Sequence, residues 1–109
     1  MNRSVRLCEL GALDDGAVTR VDIDGQRIAV ARVGQTVYAI GDRCSHANFS
    51  LSDGFLSAGD CTIECPKHGS RFSLVTGVPD SLPAVRAVPV YEVRVDGDDV
   101  IAELPEDDR

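Results

Sequence analysis

The sequence predicts an all-β fold, a sandwich or barrel of antiparallel strands interrupted by one large excursion. Three observations carry this. Short runs rich in Val, Ile and Ala alternate with polar residues at a period of two. Tight-turn pairs such as Asp24-Gly25, Gly34-Gln35 and Asp96-Gly97 separate those runs. No helix-period pattern runs long enough to compete.

The strands follow in chain order. The first runs through Val5–Leu10, the next covers Val18–Ile23, and Asp24-Gly25 turns it into Gln26–Val33. In that strand Ile28 and Val30 point one way and Arg27, Ala29 and Ala31 the other. Gly34-Gln35 leads into Thr36–Ile40. From Gly41 to about Ala84 the regularity breaks as Gly, Ser, Asp and Pro accumulate, with candidate strands only at Cys61–Cys65 and Arg71–Leu74. Alternation returns over Ala87–Val95, and Asp99–Leu104 closes the pattern. One domain over residues 1–109 is expected, with a base formed by about 4–41 and 85–104 and the excursion over about 42–84.

Composition narrows the function. The chain has 109 residues, is 43% hydrophobic and contains no tryptophan, so its core rests on aliphatic side chains. A core this small is marginal by burial alone, and a bound metal can supply part of the difference. The net charge of −7 argues against nucleic acid, whose phosphates it would repel. No apolar run has the length of a membrane span and no signal peptide is recognisable, so a cytoplasmic monomer is expected. In that reducing setting, four cysteines point to metal or core roles rather than disulfides.

Both histidines of the chain sit beside a cysteine inside the excursion. Cys44-Ser45-His46 is followed, after eighteen intervening residues, by Cys65-Pro66-Lys67-His68. Zinc can take two Cys and two His, but its usual spacing pairs like with like, and each knuckle here is mixed. A two-iron, two-sulfide cluster accounts for the mixture: two thiolates hold one iron, two imidazoles hold the other, and each loop serves both irons. Replacing two thiolates by neutral imidazoles removes negative charge, so an added electron is less repelled and the potential rises above that of all-Cys clusters.

At these residues, "CSH" with "CPKHGSRF", the chain resembles the Rieske [2Fe–2S] ferredoxin family, of the soluble bacterial type found in ring-hydroxylating dioxygenase systems. The resemblance runs from "RLCEL" through "DGDDVIAEL". It implies an antiparallel β sandwich with a cluster-binding subdomain on two loops. It also implies that Cys44 and Cys65 bind one iron and that His46 and His68 bind the other through Nδ1.

Around the ligands, Pro66 stiffens the second loop, Gly69 permits a close backbone approach, and Ser70 matches a serine that can bond a bridging sulfide. Pro83, in "SLPA", resembles the family's proline-bearing third loop. The respiratory branch of the family adds two loop-bridging cysteines, where this chain has Phe49 and Lys67, and a tyrosine where it has Phe72. Fewer hydrogen bonds to sulfur imply a potential toward the low end of the roughly −150 to +300 mV Rieske range. No spare histidine remains for the mononuclear iron of oxygenase alpha subunits.

The resemblance therefore implies a non-catalytic one-electron carrier between a flavin-dependent ferredoxin reductase and a terminal non-heme iron oxygenase or other redox acceptor. A Rieske ferredoxin serving iron–sulfur cluster assembly is the alternative within the family. A structural Cys₂His₂ zinc module is the alternative outside it.

Among the remaining residues, Cys8 and Cys61 are expected as core thiols. Phe49 or Leu51 is expected to shield the cluster. Lys67 and Arg71 are expected as solvated loop charges, and Tyr38 and Tyr91 as core residues.

Overall fold

The structure, a computed structural model, describes residues 2–23, 25–42, 50–57, 59–66, 70–80 and 87–105. It bears out the all-β expectation. Among the described residues, nine strands form two antiparallel sheets: β1 Asn2–Glu9, β2 Val18–Ile23, β3 Gln26–Val33, β4 Thr36–Gly41, β5 Phe55–Ser57, β6 Thr62–Glu64, β7 Arg71–Ser73, β8 Val90–Asp96 and β9 Asp99–Pro105. The larger sheet has the order β1-β9-β8-β4-β3-β2, and the smaller β5-β6-β7. Two single 3₁₀ turns, Leu10–Ala12 and Leu51–Asp53, are the helical pieces among the described residues.

Turn chemistry sets the register of the larger sheet. Ile23 pairs with Gln26, Val33 with Thr36 and Asp96 with Asp99, so each hairpin turns in two residues. Gly25, Gly34 and Gly97 supply the positive φ that such turns need. The strand expected over Ala87–Val95 begins later, at Val90. The preceding residues are engaged elsewhere: the Val88 amide donates to the Gly77 carbonyl, and Pro89, with no N–H to offer a ladder, accepts from the Gly41 amide. The first strand ends at Glu9 rather than Leu10, because the Leu10 amide turns away to the Asp98 carbonyl.

Strand β3 departs from simple in–out alternation. Ile28, Ala29, Val30 and Ala31 are all buried. Its two faces serve two cores. Ile28 and Val30 pack with Leu7, Leu13, Val37, Ala39, Val100, Ala102 and Leu104, side chains drawn mostly from the strands of the larger sheet itself. Ala29 and Ala31 pack with Ile40, Leu51, Ile63, Cys65, Phe72, Leu74 and Val88 on the opposite face. The small sheet is thus seated on the base through the short Ala side chains of β3, which let it approach closely.

Candidate metal centre

Of the four residues that the sequence marks as ligands, Cys65 lies among the described residues; Cys44, His46 and His68 lie outside them. The same holds for Phe49, Lys67, Gly69 and Pro83, whereas Pro66, Ser70 and Phe72 are described.

Cys65 follows the last residue of β6, and its side chain is buried in the core shared by both sheets. Its amide donates to the Ser70 carbonyl at 2.8 Å. This bond extends the β6–β7 ladder one step past the Glu64–Arg71 pair, and residues 66–69 are the loop it closes. Pro66 opens that loop on the exposed side, and Ser70 re-enters the core fully buried. The ladder therefore delivers Cys65 and Ser70 inward at the neck of the His68 loop.

Phe72 is fully buried and pairs with Ile63 across the small sheet. On its other side β7 meets residues 78–80. The Ser73 amide donates to Val78, the Asp80 amide to Arg71, and Phe72 bridges Pro79. The chain thus runs back along β7 before it enters 81–86, the segment that contains Pro83. Gly77 makes this return possible: its φ is +76°, and a Cβ there would stand 2.2 Å from the Val88 carbonyl oxygen.

The residues that flank 43–49, Asp42 on one side and Leu51 and Ser52 on the other, are bonded to each other. Leu51, just past this segment, is buried in the same core as Cys65, so one apolar cluster joins the residues that flank the two Cys/His motifs. Asp42, just before it, is fully buried. Its Oδ1 accepts from the Ser52 amide at 2.9 Å, and its backbone carbonyl accepts from the Leu51 amide. Gly54 then brings this chain against β6: a Cβ there would lie 1.9 Å from the Glu64 carbonyl oxygen, one residue before Cys65. Sequence reasoning passed over Asp42 and Gly54. In "GDRCSH" and "LSDG" they read as ordinary turn residues, and only burial and contact distance set them apart.

Cys8 and Cys61 are half-buried and form no disulfide. Burial pushes the Cys8 thiol pKa up, as suits a packed rather than reactive thiol. Cys61 packs against the core beneath the small sheet and holds a φ of 55° in the turn before β6. The Tyr38 hydroxyl is hydrogen-bonded to Cys61, which raises the tyrosine's pKa. The Tyr91 hydroxyl donates to Gln26 Oε1 at 2.9 Å. Both rings pack at the edges of the cores. Arg71 pairs with Asp80 at 3.4 Å with both side chains about half exposed, a surface arrangement.

With this geometry in place, comparison with known proteins is direct. Residues 3–92 match the family described as the Rieske [2Fe–2S] domain. The chain belongs to the Rieske [2Fe–2S] family. Its cofactor is accordingly a Rieske-type [2Fe–2S] cluster, and the described residues suit one: Cys65 offers a buried thiol, and Leu51, just past the first Cys/His motif, is buried in the same core.

The chain is 42% identical over 106 residues, 97% of each chain, to the 3-phenylpropionate/cinnamic acid dioxygenase ferredoxin subunit of Shigella boydii serotype 4 (strain Sb227). Among solved structures, the ferredoxin of carbazole 1,9a-dioxygenase from Nocardioides aromaticivorans IC177 superposes with a TM-score of 0.90 at 42% identity, covering 94% of this chain and 98% of that one. A chain from a complex of reduced oxygenase and oxidized ferredoxin in carbazole 1,9a-dioxygenase gives a TM-score of 0.84 at 39% identity, with 91% of each chain covered. No helix among the described residues is long and apolar enough to cross a membrane.

Proposed function

We propose that this protein is the ferredoxin component of a ring-hydroxylating dioxygenase system, carrying single electrons from a flavin-dependent reductase to a terminal non-heme iron oxygenase. The observation that carries this reading is similarity to dioxygenase ferredoxin subunits over nearly the whole of both chains. One solved relative comes from a complex of oxygenase with ferredoxin, which supports an oxygenase as acceptor. The reductase as donor follows from the chemistry of the system. Membership of the Rieske family leaves the zinc-module reading without support, and no observation favours a role in cluster assembly.

In this reading Cys44 and Cys65 hold one iron, and His46 and His68 hold the other. When bound, the cluster supplies a one-electron couple centred on the histidine-bound iron. The chain's own residues do the rest. The β6–β7 ladder fixes Cys65 inside the core, and the Cys65–Ser70 bond holds the neck of the His68 loop. Leu51 and Phe72 fill the apolar space around the Cys65 side of the site and keep water from it. In this reading the Ser70 hydroxyl bonds a bridging sulfide, and its full burial next to the Cys65 strand end supports that role. The acidic surface, net −7, suits docking against basic patches on the redox partners.

Stopped-flow mixing tests the function. The oxidised protein is expected to be reduced rapidly by a flavin-dependent ferredoxin reductase with NADH, and reoxidised by a ring-hydroxylating oxygenase. A cluster that exchanges no electrons with any such pair would contradict the assignment.

A further inference from the structure

Asp42 has a fully buried side chain although it is a carboxylate. Three of its polar groups fasten the first ligand loop. Its amide donates to the Arg27 carbonyl, its own carbonyl accepts from Leu51, and Oδ1 accepts from the Ser52 amide. Among the described residues, Oδ2 has no hydrogen-bond partner. Instead it faces the Arg27 guanidinium at 3.9 Å, and the same Nη2 donates to Ser50 Oγ at 3.0 Å. Arg27 is itself partly exposed.

The fastening alone does not require charge. An asparagine offers the same Oδ1 acceptor, and burying a carboxylate costs several kcal/mol that a neutral amide avoids. The retained charge therefore calls for a second role. Asp42 stands two residues before Cys44, and two residues of chain reach about 7 Å at most. A charge held out of water at that distance is screened far less than a surface charge.

We propose that Asp42 is a positioning residue for the cluster. Its carboxylate ties the exit of the first ligand loop to its entrance, and its buried charge, partly balanced by Arg27, holds the reduction potential down. The inference rests on the assignment of Cys44 and His46 as ligands. The sign follows from Coulomb's law. Reduction adds negative charge, so a nearby anion opposes it and a nearby cation favours it. Removing Asp42's charge raises the midpoint, and removing Arg27's charge lowers it.

The test is voltammetry at low ionic strength on wild type, Asp42→Asn, Asp42→Ala and Arg27→Gln. Iron and acid-labile sulfide are measured on each. Asp42→Asn keeps the Ser52 acceptor, so it is expected to load like wild type and shift the potential upward. Arg27→Gln is expected to shift it downward, by an amount that shrinks in high salt because Arg27 is partly exposed. Asp42→Ala, lacking the clamp, is expected to lose its cluster severalfold faster.

A fully loaded Asp42→Asn protein with the wild-type potential overturns the inference, as do shifts of the same sign in Asp42→Asn and Arg27→Gln. If Asp42→Asn fails to load, Arg27→Gln decides alone: a fall supports the inference and an unchanged potential overturns it. A wild-type protein without iron and sulfide refutes the parent assignment before any variant is compared.

Discussion

The Cys65 amide donates to the Ser70 carbonyl at 2.8 Å, and both side chains are buried. One backbone bond thus couples the thiolate ligand assigned to the second loop to the serine expected to bond sulfide. The ladder fixes the Ser70 backbone, so in the proposed site its hydroxyl would act from a fixed position.

Ser70→Ala is therefore expected to lower the reduction potential while leaving the cluster loaded. A hydrogen bond to sulfur stabilises the more negative reduced state, and its loss removes that preference. Voltammetry on the loaded variant checks this; a wild-type potential would mean that the hydroxyl serves only the backbone around it.

Phe72 lies two residues further along β7, fully buried. Phe72→Tyr restores the hydroxyl that the respiratory branch of the family uses, and it is expected to raise the potential at some cost in stability from overpacking. Phe72→Ala is expected to cost about 3–5 kcal/mol by opening a cavity beneath both ligand loops. Denaturant unfolding measures the second effect and voltammetry the first. A large stability loss with an intact cluster would show the apolar support to be separable from the site.

Gly54→Ala tests how tightly the loops are drawn together. Its Cβ would lie 1.9 Å from a backbone oxygen of β6, which cannot rotate aside. The substitution is expected to destabilise the fold by at least about 2 kcal/mol and to speed cluster loss. A variant with wild-type melting and loading would show that β5 can separate from β6 at no cost.

The base of the fold was legible because its code is local. Alternation and two-residue turns name β2, β3, β4 and β9 almost to the residue, and β8 with its start placed three residues early. Strand β5 was missed: three residues are too few to show a period, and Phe55 is exposed. The double burial of β3 was hidden for a related reason. Ala29 and Ala31 resemble solvent-side residues until the small sheet is laid over them.

The Cys/His pairs proposed as ligands were singled out by type and spacing, and three of the four residues, Cys44, His46 and His68, lie outside the described residues. Their supports were not singled out, because Asp42, Gly54 and Gly77 act through contacts with Ser52, Glu64 and Val88 that no local pattern announces.

Acid should loosen the outer sheet before it reaches the core. Hydrogen bonds from Ser4 and Arg94 hold the Glu103 carboxyl below its ordinary pKa. Its contribution is thus fully present above the unfolded value near 4.3 and is lost as pH falls through the lower folded value. Glu103→Gln is expected to flatten that part of the acid limb in pH-dependent unfolding. An acid limb identical to wild type would assign the loss to other carboxylates.

The central claim is that each loop supplies one cysteine and one histidine to a shared cluster. Pulsed EPR on the chemically reduced protein, with metal analysis on the same sample, tests it most directly. The account predicts about two irons and about two sulfides per chain, with imidazole nitrogens from both His46 and His68 coupled to the electron spin and one coupling lost in each single His→Cys variant that still loads. A colourless protein holding one zinc, or a reduced cluster without coupled nitrogen, would contradict it.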